Sequence, residues 1–430
     1  NYNMARFHKP PTHKNSPLFA NIIMDNDKEI KAFLYEHTEE KYYHWHKFHR
    51  IQKPEKYSYE DFWQAITFLR GSGKIRLSLW ESEFSFKIPN FLLKKLHDID
   101  LHLGGNIMLN SVIPHGAEER FLRNSLIEEA IASSQIEWAS TTRRRAKEMI
   151  EKNETPKDGG EQMIANNLVA MKYISAHKNE EITEEKILEL HALLTKNTLE
   201  NTSDEGTWRY DDEIFVADKL TNEPLHTPLS YTKIPMYMQE LIQFFNNSDK
   251  FFIHPIVKWI IIHFLIGWIH PFVDGNGRTA RALFYWYILK NGYWLTEFIS
   301  ISRSIKENTE QYKNSYLFAE TDGNDLTYFI DYNIKCLLSS LEKFKAYINK
   351  KITEEKEMLW KIEGAELTTR QSEIFKFLQN NKNNDFTILE LMQKISASRN
   401  TIKKDVDILI EKWLIETRKR DTKTTSYIIN

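Results

Sequence analysis

Apolar residues recur at helical spacing along most of this chain, and strand-like alternation is rare. In residues 117–150 and 232–350 the apolar positions return every three or four residues, which predicts amphipathic helices. Residues 26–105 show the same spacing, together with clusters of aromatic side chains. We therefore predict a mainly helical fold, with a helical N-terminal region over 1–115 and a second helical domain over 116–350.

One segment, residues 207–227, departs from this helical pattern. The strand formers Ile214, Phe215 and Val216 are followed by a Thr-Asn-Glu-Pro run, whose residue types favour a turn. We predict a short β-hairpin here. It is the only hairpin that the pattern indicates before the C-terminal tail.

Residues 366–430 have the pattern of a small separate unit. Capping boxes that begin at Thr368 and Thr387 predict two helices, and a third helix begins near Ser398. The third helix has one apolar face, formed by Ile402, Val406, Leu409 and Trp413. Alternating β formers over 415–429 predict a final hairpin. Three helices followed by a hairpin are the order of a winged helix-turn-helix.

The charge balance excludes some classes of function. The sequence has 58 Lys and Arg residues and 60 Asp and Glu residues, a net charge of −2. That balance excludes a uniformly basic nucleic-acid coat and a strongly acidic tail protein. A local run of charge over 351–365 predicts a helical linker before the C-terminal unit.

Cysteine usage and hydropathy bear on the cell compartment. The one cysteine, Cys336, excludes an internal disulfide and a cysteine-based zinc site within this sequence. Residues 1–16 are polar and have no apolar core, so they do not predict a secretory leader. The most apolar run, residues 259–269, is shorter than the ~20 residues that a membrane span needs. We expect a cytoplasmic protein with no membrane segment.

Residues 270–281 hold the richest chemistry of the chain, between two predicted helices. Gly275 and Gly277 leave room for an anion to approach the unpaired backbone N–H groups that begin the second helix. Arg278 and Arg281 are three residues apart, so they lie on one helix face beside those groups. Each guanidinium can grip a phosphate in a forked geometry. This run therefore predicts a phosphate site.

Two further side chains add reactivity to that phosphate site. His270 carries an imidazole that titrates near neutral pH and can act as a general base. Asp274 offers carboxylate oxygens of the kind that hold Mg²⁺ between phosphates. A base, a magnesium ligand and an anion site together predict phosphate-ester chemistry on a nucleotide.

The same run matches the signature of the Fic family of protein adenylyltransferases, His-Pro-Phe-x-Asp-Gly-Asn-Gly-Arg-x-x-Arg, at every defined position. The helices over about 120–335 resemble the rest of that domain. The resemblance implies that His270 deprotonates a hydroxyl of a target protein, which attacks the α-phosphate of ATP. AMP would be added to a Ser, Thr or Tyr, and pyrophosphate would leave.

The resemblance also implies the nucleotide contacts, with ATP as substrate and Mg²⁺ as cofactor on Asp274. The residues that it assigns to ATP are Asp274, Gly275, Asn276, Gly277, Arg278, Arg281 and Tyr312. Doc toxins, which are related kinases, lack a glycine at the place of Gly275, so this glycine favours adenylyl transfer. Phosphocholine transfer also occurs in the family and stays open. Tyr312 resembles a position that packs on the adenine, and a core tyrosine is the alternative.

A second resemblance lies upstream of the motif. Ser133 and Glu137 match the inhibitory helix of Fic proteins, whose core is Ser/Thr-x-x-x-Glu-Gly/Asn. Trp138 departs from that core, which has Gly or Asn at its place. The resemblance puts the helix at about 122–140. It implies that Glu137 pairs with Arg281 and holds ATP in a non-productive pose.

The predicted hairpin over 207–227 stands where Fic proteins have the flap. The flap positions a segment of the target by strand pairing, a recognition through the backbone that tolerates many sequences. By this resemblance Phe215, Val216 and Ala217 line the flap.

Basic and polar residues lie near the start or on the exposed side of the third C-terminal helix, where a recognition helix meets DNA. They are Arg399, Asn400, Lys403 and Lys404. Asp405, Asp407 and Glu411 on the same helix argue against DNA binding. Winged helices also dock proteins, so DNA binding, protein docking or dimerisation, and a role as a cap on the fold stay open.

The leading hypothesis is an autoinhibited protein adenylyltransferase that modifies a hydroxyl of a target protein. The alternative is a DNA-binding transcriptional regulator whose Fic domain only senses a nucleotide. The intact motif favours the enzyme, because a pure sensor would not need His270. A homo-oligomer is compatible with both hypotheses.

Overall fold

The computed structural model describes most of the chain, and the prediction of a mainly helical fold is confirmed. The described residues are 7–11, 18–103, 118–217, 224–246, 252–381, 384–419 and 424–429. The chain divides into two compact units, Asn1–Phe344 and Lys345–Asn430.

Short helices around an aromatic core begin the first unit. They are α1 (Leu18–Ile23), α2 (Lys28–Tyr35), α3 (Trp45–Phe48), α4 (Tyr59–Gly71) and α5 (Asn90–Leu103), with a π-helical turn over Glu36–Glu40. A capping box between Ser58 and Asp61 begins α4. Phe48, Phe62 and Trp63 are fully buried where these helices meet.

The prediction that residues 26–105 are helical throughout is wrong at one place. Strands β1 (Ile75–Leu79) and β2 (Ser82–Phe86) form an antiparallel hairpin in which Ile75 faces Phe86. Phe84 and Phe86 are buried on one face of β2, which is the alternation of a half-buried strand. The turn contains Trp80 at φ 51° and neither Gly nor Asn. The usual turn signal is therefore missing from the sequence.

Further α-helices follow among the described residues of the second part of the chain. They are α6 (Glu118–Ile136), α7 (Arg143–Glu151), α8 (Gly159–His177), α9 (Glu184–Thr195), α10 (Ile234–Asn246), α11 (Pro255–Ile269), α12 (Asn276–Lys290), α13 (Ile301–Glu307), α14 (Thr309–Thr321) and α15 (Thr327–Gly364). Between α9 and α10 the strands β3 (Val216–Ala217) and β4 (Pro224–His226) form the predicted hairpin. The turn of this hairpin, residues 218–223, lies outside the described residues.

Local sequence explains where the central helices begin. Thr183 caps α9 because its side chain accepts a hydrogen bond from the backbone N–H of Lys186. Pro255 occupies the first turn of α11, where its missing N–H costs nothing. Helices α11 and α12 pack against each other, and nearly every side chain of both is buried. Among the described residues, no helix is both long and apolar enough to cross a membrane.

The second unit has the predicted order of three helices and a hairpin. After the end of α15 come α16 (Thr369–Asn380), α17 (Ile388–Ile395), α18 (Arg399–Glu411), β5 (Ile415–Lys419) and β6 (Thr425–Ile429). Both capping boxes, at Thr368 and Thr387, are confirmed. Strands β5 and β6 are antiparallel, and Phe386 adds one isolated bridge to Tyr427.

The apolar face predicted for α18 is right except at its last member. Ile402, Val406 and Leu409 are completely buried in the core of the second unit. Trp413 is 82% exposed and has φ 59°. The helix ends at Glu411, so the left-handed backbone that follows turns Trp413 away from that face.

Candidate active site

The loop between α11 and α12 is held in shape by one of its own side chains. Asn276 accepts a hydrogen bond from the backbone N–H of Phe272 (2.9 Å) and donates one to the carbonyl oxygen of Phe272 (2.8 Å). Both ends of this amide are used within the loop. The Asn276 side chain therefore shapes the loop and does not reach out of it.

Gly275 is required in this loop for two reasons. Its φ of 82° lies in the left-handed region that favours glycine. A Cβ at this position would also stand 2.7 Å from Cγ2 of Thr195 and 3.0 Å from Nε2 of His191. The chain comes too close here for any side chain, and α12 begins directly afterwards.

His270 lies at the end of α11 with one ring nitrogen already engaged. Its Nδ1 donates a proton to the carbonyl oxygen of Gly267 over 3.2 Å, so Nε2 keeps its lone pair. Burial lowers the pKa of His270 to about 4. The ring is therefore neutral at physiological pH, and Nε2 can accept a proton.

The start of α12 is occupied by the carboxylate of Glu137, the residue directly after α6. Oε1 of Glu137 accepts a hydrogen bond from Nη2 of Arg281 over 2.8 Å. A Cβ on Gly277 would stand 2.2 Å from the same oxygen. Glu137 thus lies against the backbone of the first turn of α12, where unpaired N–H groups favour an anion.

Ser133 accepts two further hydrogen bonds from Arg281. The hydroxyl of Ser133 accepts from Nε of Arg281, and the backbone carbonyl of Ser133 accepts from Nη2, both over 3.0 Å. Burial lowers the pKa of Arg281, but the charge and hydrogen bond of Glu137, together with Tyr312 and Glu129, raise it overall. Arg281 is buried and charged, and its three acceptors come from Ser133 on α6 and from Glu137, the residue directly after α6.

Helix α6 is also anchored by a buried acid, Glu129. Glu129 accepts hydrogen bonds from the hydroxyl of Tyr285 (2.7 Å), the hydroxyl of Ser300 (2.9 Å) and the backbone N–H of Ser302 (3.1 Å). A buried carboxylate with several donors fixes its helix in place. The position of Glu137 over α12 is therefore set by the body of the domain.

Two buried arginine donors in this site make no hydrogen bond within the described residues. They are Nη1 of Arg281 and Nε of Arg278. The remainder of Arg278 donates to the carbonyl oxygen of Leu194 (3.1 Å) and to Asp274 (3.3 Å). Buried charged donors without an acceptor indicate a ligand that supplies acceptor atoms, such as a phosphate.

Asp274 is the exposed acid of the loop, with 63% of its side chain open to solvent. Its Oδ1 accepts the backbone N–H of Gly275 over 2.6 Å. In the part of the chain that the structure describes, no group of three ligating side chains could hold a metal ion. A lone carboxylate beside a phosphate site nevertheless fits Mg²⁺, which takes one or two protein oxygens and completes its shell with phosphates and water.

Residues 181–288 match the model of the Fic/DOC family, and residues 370–420 match an HTH domain. The chain carries a Fic/DOC family domain. The match covers α9 to α12, so it includes the 270–281 loop, whereas Ser133 and Glu137 lie upstream of it.

Curated relatives agree with this assignment. The protein adenylyltransferase Fic of Nematostella vectensis is 27% identical over 192 residues, which is 42% of this chain and 42% of that protein. Its namesake from Drosophila ananassae is 31% identical over 127 residues, 29% of this chain and 24% of that protein. The chain therefore spans less than half the length of these relatives.

A solved structure has the same fold. The Fic domain containing signaling protein from Bacteroides thetaiotaomicron has a TM-score of 0.50 and 21% sequence identity. The match covers 60% of this chain and 97% of that chain.

In the Fic domain, the predicted flap is a minimal two-stranded hairpin. Val216 pairs with His226, and Ala217 pairs with Pro224 after a shift in register. Phe215, directly before β3, is exposed. β3 and β4 pair only with each other among the described residues.

Tyr312 lies in an aromatic cluster rather than alone on a surface. Its hydroxyl is 2.9 Å from Nε2 of His263, and its ring makes edge contacts with Tyr316. Burial, and then the charge of Arg281, lower the pKa of His263 to about 3, so its ring is neutral. Contact of Tyr312 with adenine stays a prediction.

Sequence reasoning missed two residues that hold the loop from outside. His191 donates from Nε2 to the carbonyl oxygen of Asp274 and accepts at Nδ1 from the backbone N–H of Gly206, each over 2.9 Å. Its ring stacks on Phe272 at 3.7 Å. Burial lowers its pKa to about 4. One histidine in an apolar helix carries no pattern that would have singled it out.

Arg209 is the second missed residue. Its Nε donates to the carbonyl oxygen of His270, and its backbone N–H donates to the carbonyl oxygen of Pro271, each over 2.9 Å. The side chain is almost completely buried and also donates to Asp212. Arg209 therefore fixes the backbone of the loop next to His270.

Trp138, the departure from the family pattern, terminates α6 in a left-handed conformation with φ 73°. The backbone N–H of Ala139 donates to Ser134, and that of Trp138 donates to Gln135. These two bonds define a Schellman motif, in which glycine is usual at the position of Trp138. The left-handed backbone at this position thus explains why the family pattern has Gly or Asn there.

Replacing Trp138 with glycine is expected to stabilise the first unit. A left-handed residue with a Cβ costs about 1–2 kcal/mol, and glycine loses about 0.5–1 kcal/mol of that gain through its greater unfolded-state entropy. Thermal melting of W138G should therefore show a Tm about 1–3 °C above wild type. W138A keeps the Cβ and is the matched control. An equal gain in W138A would assign the effect to loss of the exposed ring.

Helix α18 presents Arg399, Asn400, Lys403 and Lys404 to solvent. Asp405, which argued against DNA binding, points the other way. It is buried, accepts a hydrogen bond from Gln371 over 3.1 Å and pairs with Arg370. The carboxylate of Asp405 is therefore neutralised inside the unit and does not lie on the exposed face of α18.

Proposed function

We propose that this chain is an autoinhibited protein adenylyltransferase that transfers AMP from ATP to a hydroxyl of a target protein. The proposal rests on the candidate anion-binding site at the start of α12. There Glu137 lies over Gly277, and the buried Arg281 Nη1 makes no hydrogen bond within the described residues. This arrangement can bind an anion, and His270, a neutral general base, lies on the same loop.

The chemistry begins at Nε2 of His270, which accepts the proton of the target hydroxyl. The hydroxyl oxygen then forms a bond to the α-phosphorus, and the bond from that phosphorus to the β-bridging oxygen breaks. Pyrophosphate leaves, and AMP stays on the target as a phosphodiester. Arg278, Arg281 and the backbone N–H groups of α12 stabilise the phosphate charge. Asp274 would hold Mg²⁺, which neutralises charge on the phosphates when bound.

Autoinhibition follows from competition for the same donors. Nη2 of Arg281 is bound to Glu137 and Ser133, so it is not available to the γ-phosphate. The carboxylate of Glu137 also repels the terminal phosphate. ATP that binds beside Glu137 would turn its α-phosphate away from in-line attack.

The flap supports a protein as the substrate. In the described residues β3 has no partner on its outer side, and an extended segment of a target can add to that edge. Phe215 is exposed beside it. Backbone pairing would hold the modified residue near His270 and tolerate a range of target sequences.

Labelled ATP distinguishes the candidate activities. The full chain is incubated with Mg²⁺, cell extract and ATP labelled on either the α- or the γ-phosphate. Label from the α-phosphate alone on protein supports adenylyl transfer. Label from the γ-phosphate indicates a kinase, and ATP binding without transfer indicates a nucleotide sensor. Label from cytidine diphosphocholine, tested in parallel, would indicate phosphocholine transfer.

We also propose that the C-terminal unit binds DNA, because of the charges on α18. Arg399, Lys403 and Lys404 are exposed and form no ion pair with the described residues. The inward position of Asp405 removes one acid from the surface that a DNA backbone would meet. Exposed Asp407 and Glu411 remain on the helix, so protein docking is the alternative outcome.

The salt dependence of binding tests this second proposal. We expect the full chain to shift a DNA duplex at low salt, with log affinity falling by about 0.9 per log salt for each phosphate contact. K403A/K404A should make this slope shallower by about 1.8. Exposed Lys376, on α16, supplies the control K376A. Equal slopes for all three proteins, or no shift with genomic fragments, would favour protein docking.

A further inference from the structure

His226, the last residue of β4, binds two groups outside the flap. Its Nδ1 is 2.9 Å from Oε2 of Glu320 on α14. Its Nε2 is 2.7 Å from the backbone carbonyl oxygen of Trp268 on α11. Only 11% of the His226 side chain and 18% of the Glu320 side chain are exposed. These contacts are therefore largely shielded from water.

The chemistry of these partners determines the protons on the ring. A carbonyl oxygen accepts and cannot donate, and an ionised carboxylate accepts only. A neutral imidazole has one N–H, so one of its nitrogens would direct a lone pair at an oxygen less than 3 Å away. Both contacts are favourable when His226 is an imidazolium paired with an ionised Glu320.

The end of α11 gives a second reason for a cation at this place. The last four carbonyl groups of a helix have no partner within it, and they form the negative end of the helix dipole. Trp268 is one of the last residues of α11. His226 therefore donates to an unpaired carbonyl at the position where positive charge is most favoured.

The contacts of His226 with Glu320 and Trp268, which we call the clasp, join the flap, α14 and α11 close to the proposed base. His226 pairs with Val216 across the flap, and Trp268 lies two residues before His270. The titratable groups that contact His226 or interact with its charge are Glu320 on α14 and His270 after α11. Glu320 is the acid of the two, so its ion pair with His226 compensates the imidazolium.

We propose that His226 is a positioning residue of the flap, held as an imidazolium between Glu320 and the end of α11. The clasp sets the position of the β3 edge relative to Nε2 of His270, and with it the approach of the target hydroxyl. This inference rests on the proposed function. The protonation of His226 and the order of the flap are nevertheless measurable without any transferase activity.

The first measurement is nitrogen NMR of the full chain labelled with ¹⁵N-histidine, near pH 7. H226Q assigns the His226 signals. We expect both ring nitrogens of His226 to be protonated in the wild type. In E320Q the amide oxygen can still accept from Nδ1, but the negative charge is gone, so one nitrogen should lose its proton. An unprotonated ring nitrogen in the wild type would overturn the proposal.

The second measurement is hydrogen exchange of the flap peptides, followed by mass spectrometry. Loss of a charge-assisted bond should accelerate exchange over β3 and β4 by about tenfold or more in E320Q and H226Q. Exchange over α12 should stay as in the wild type. H97Q, at an exposed histidine on α5, is the matched control. Wild-type exchange of the flap in E320Q would show that the charge has no positioning role.

The third measurement links the clasp to catalysis and separates the two proposals. In an E137G background, E320Q should lower the rate of self-labelling by α-labelled ATP and leave the affinity for ATP unchanged. E320D, which keeps the charge, should restore part of the rate. If no variant transfers label but the NMR and exchange results hold, the adenylyltransferase proposal fails and the clasp stands. Full self-labelling by E320Q would overturn the positioning role.

Discussion

Replacing His270 with alanine is expected to lower the rate of AMP transfer by roughly 10²–10⁴-fold, the usual contribution of a positioned general base. The Nδ1 proton is committed to Gly267, so Nε2 is the atom that this substitution removes from the chemistry. The rate of α-label transfer to protein, measured at saturating ATP, tests this expectation.

ATP affinity should survive the loss of His270. The donors proposed for the phosphates belong to Arg278, Arg281 and the backbone of α12, so calorimetry should give a Kd within a few-fold of wild type. H97A, at the exposed position on α5, should change neither quantity. Undiminished transfer by H270A would contradict the mechanism. Loss of ATP binding would show instead that His270 holds the loop in shape.

The rate of AMP transfer is also expected to depend on pH. The proposed base would act in its neutral form, and burial lowers the pKa of His270 to about 4. The neutral form therefore predominates above that pKa, and the rate is lost as pH falls through it. Transfer should be independent of His270 protonation at neutral pH and should decline only in strongly acidic buffer.

The second large effect is expected in the opposite direction, from E137G. Removing this carboxylate frees Nη2 of Arg281 and the backbone next to Gly277. Losing one partner of a fully buried pair costs about 3–5 kcal/mol, and an exposed pair is worth about 0–1 kcal/mol. Glu137 is 31% exposed and Arg281 is 2% exposed, so the effect lies between these limits. Since about 1.4 kcal/mol is tenfold in rate, self-labelling should rise by roughly 10- to 100-fold.

Four further variants identify the cause of that activation. E137Q removes only the charge and should activate nearly as well as E137G. E128Q, on α6, loses bonds to Arg143 and Lys147, and it should not activate. R281A and E137G/R281A should behave alike, because Arg281 is also needed for productive ATP. Unchanged transfer in E137G would contradict autoinhibition by α6, and the backbone at Trp138 would then be the first feature to examine.

Features that depend on neighbouring residues were predictable. The capping boxes at Thr368 and Thr387 and the start of α9 at Thr183 each need only side chains within three positions of one another. The loop between α11 and α12 is similar, since Gly275 and Asn276 shape it through contacts inside the motif. Hydrogen bonds between residues close in sequence can be predicted from the residue types and their spacing.

The failures share a cause of the opposite kind. The hairpin of β1 and β2 has no turn residue that marks it, and burial of Phe84 and Phe86 against the rest of the unit decides its register. Trp413 fits the apolar period of α18 but follows the end of the helix. Periodicity reports which side chains are apolar and does not report where the backbone stops being helical.

By itself, the sequence determined the mainly helical class, the winged order of the C-terminal unit and the candidate site loop over 270–281, because each is a local pattern. Only the tertiary structure decided what surrounds that loop. Glu137 reaches Arg281 across 144 residues, and His226 reaches Glu320 across 94. His191 and Arg209 contact the loop from an apolar helix and an irregular segment. Contacts between distant segments depend on how helices pack, and packing is a property of the whole fold rather than of any single run of residues.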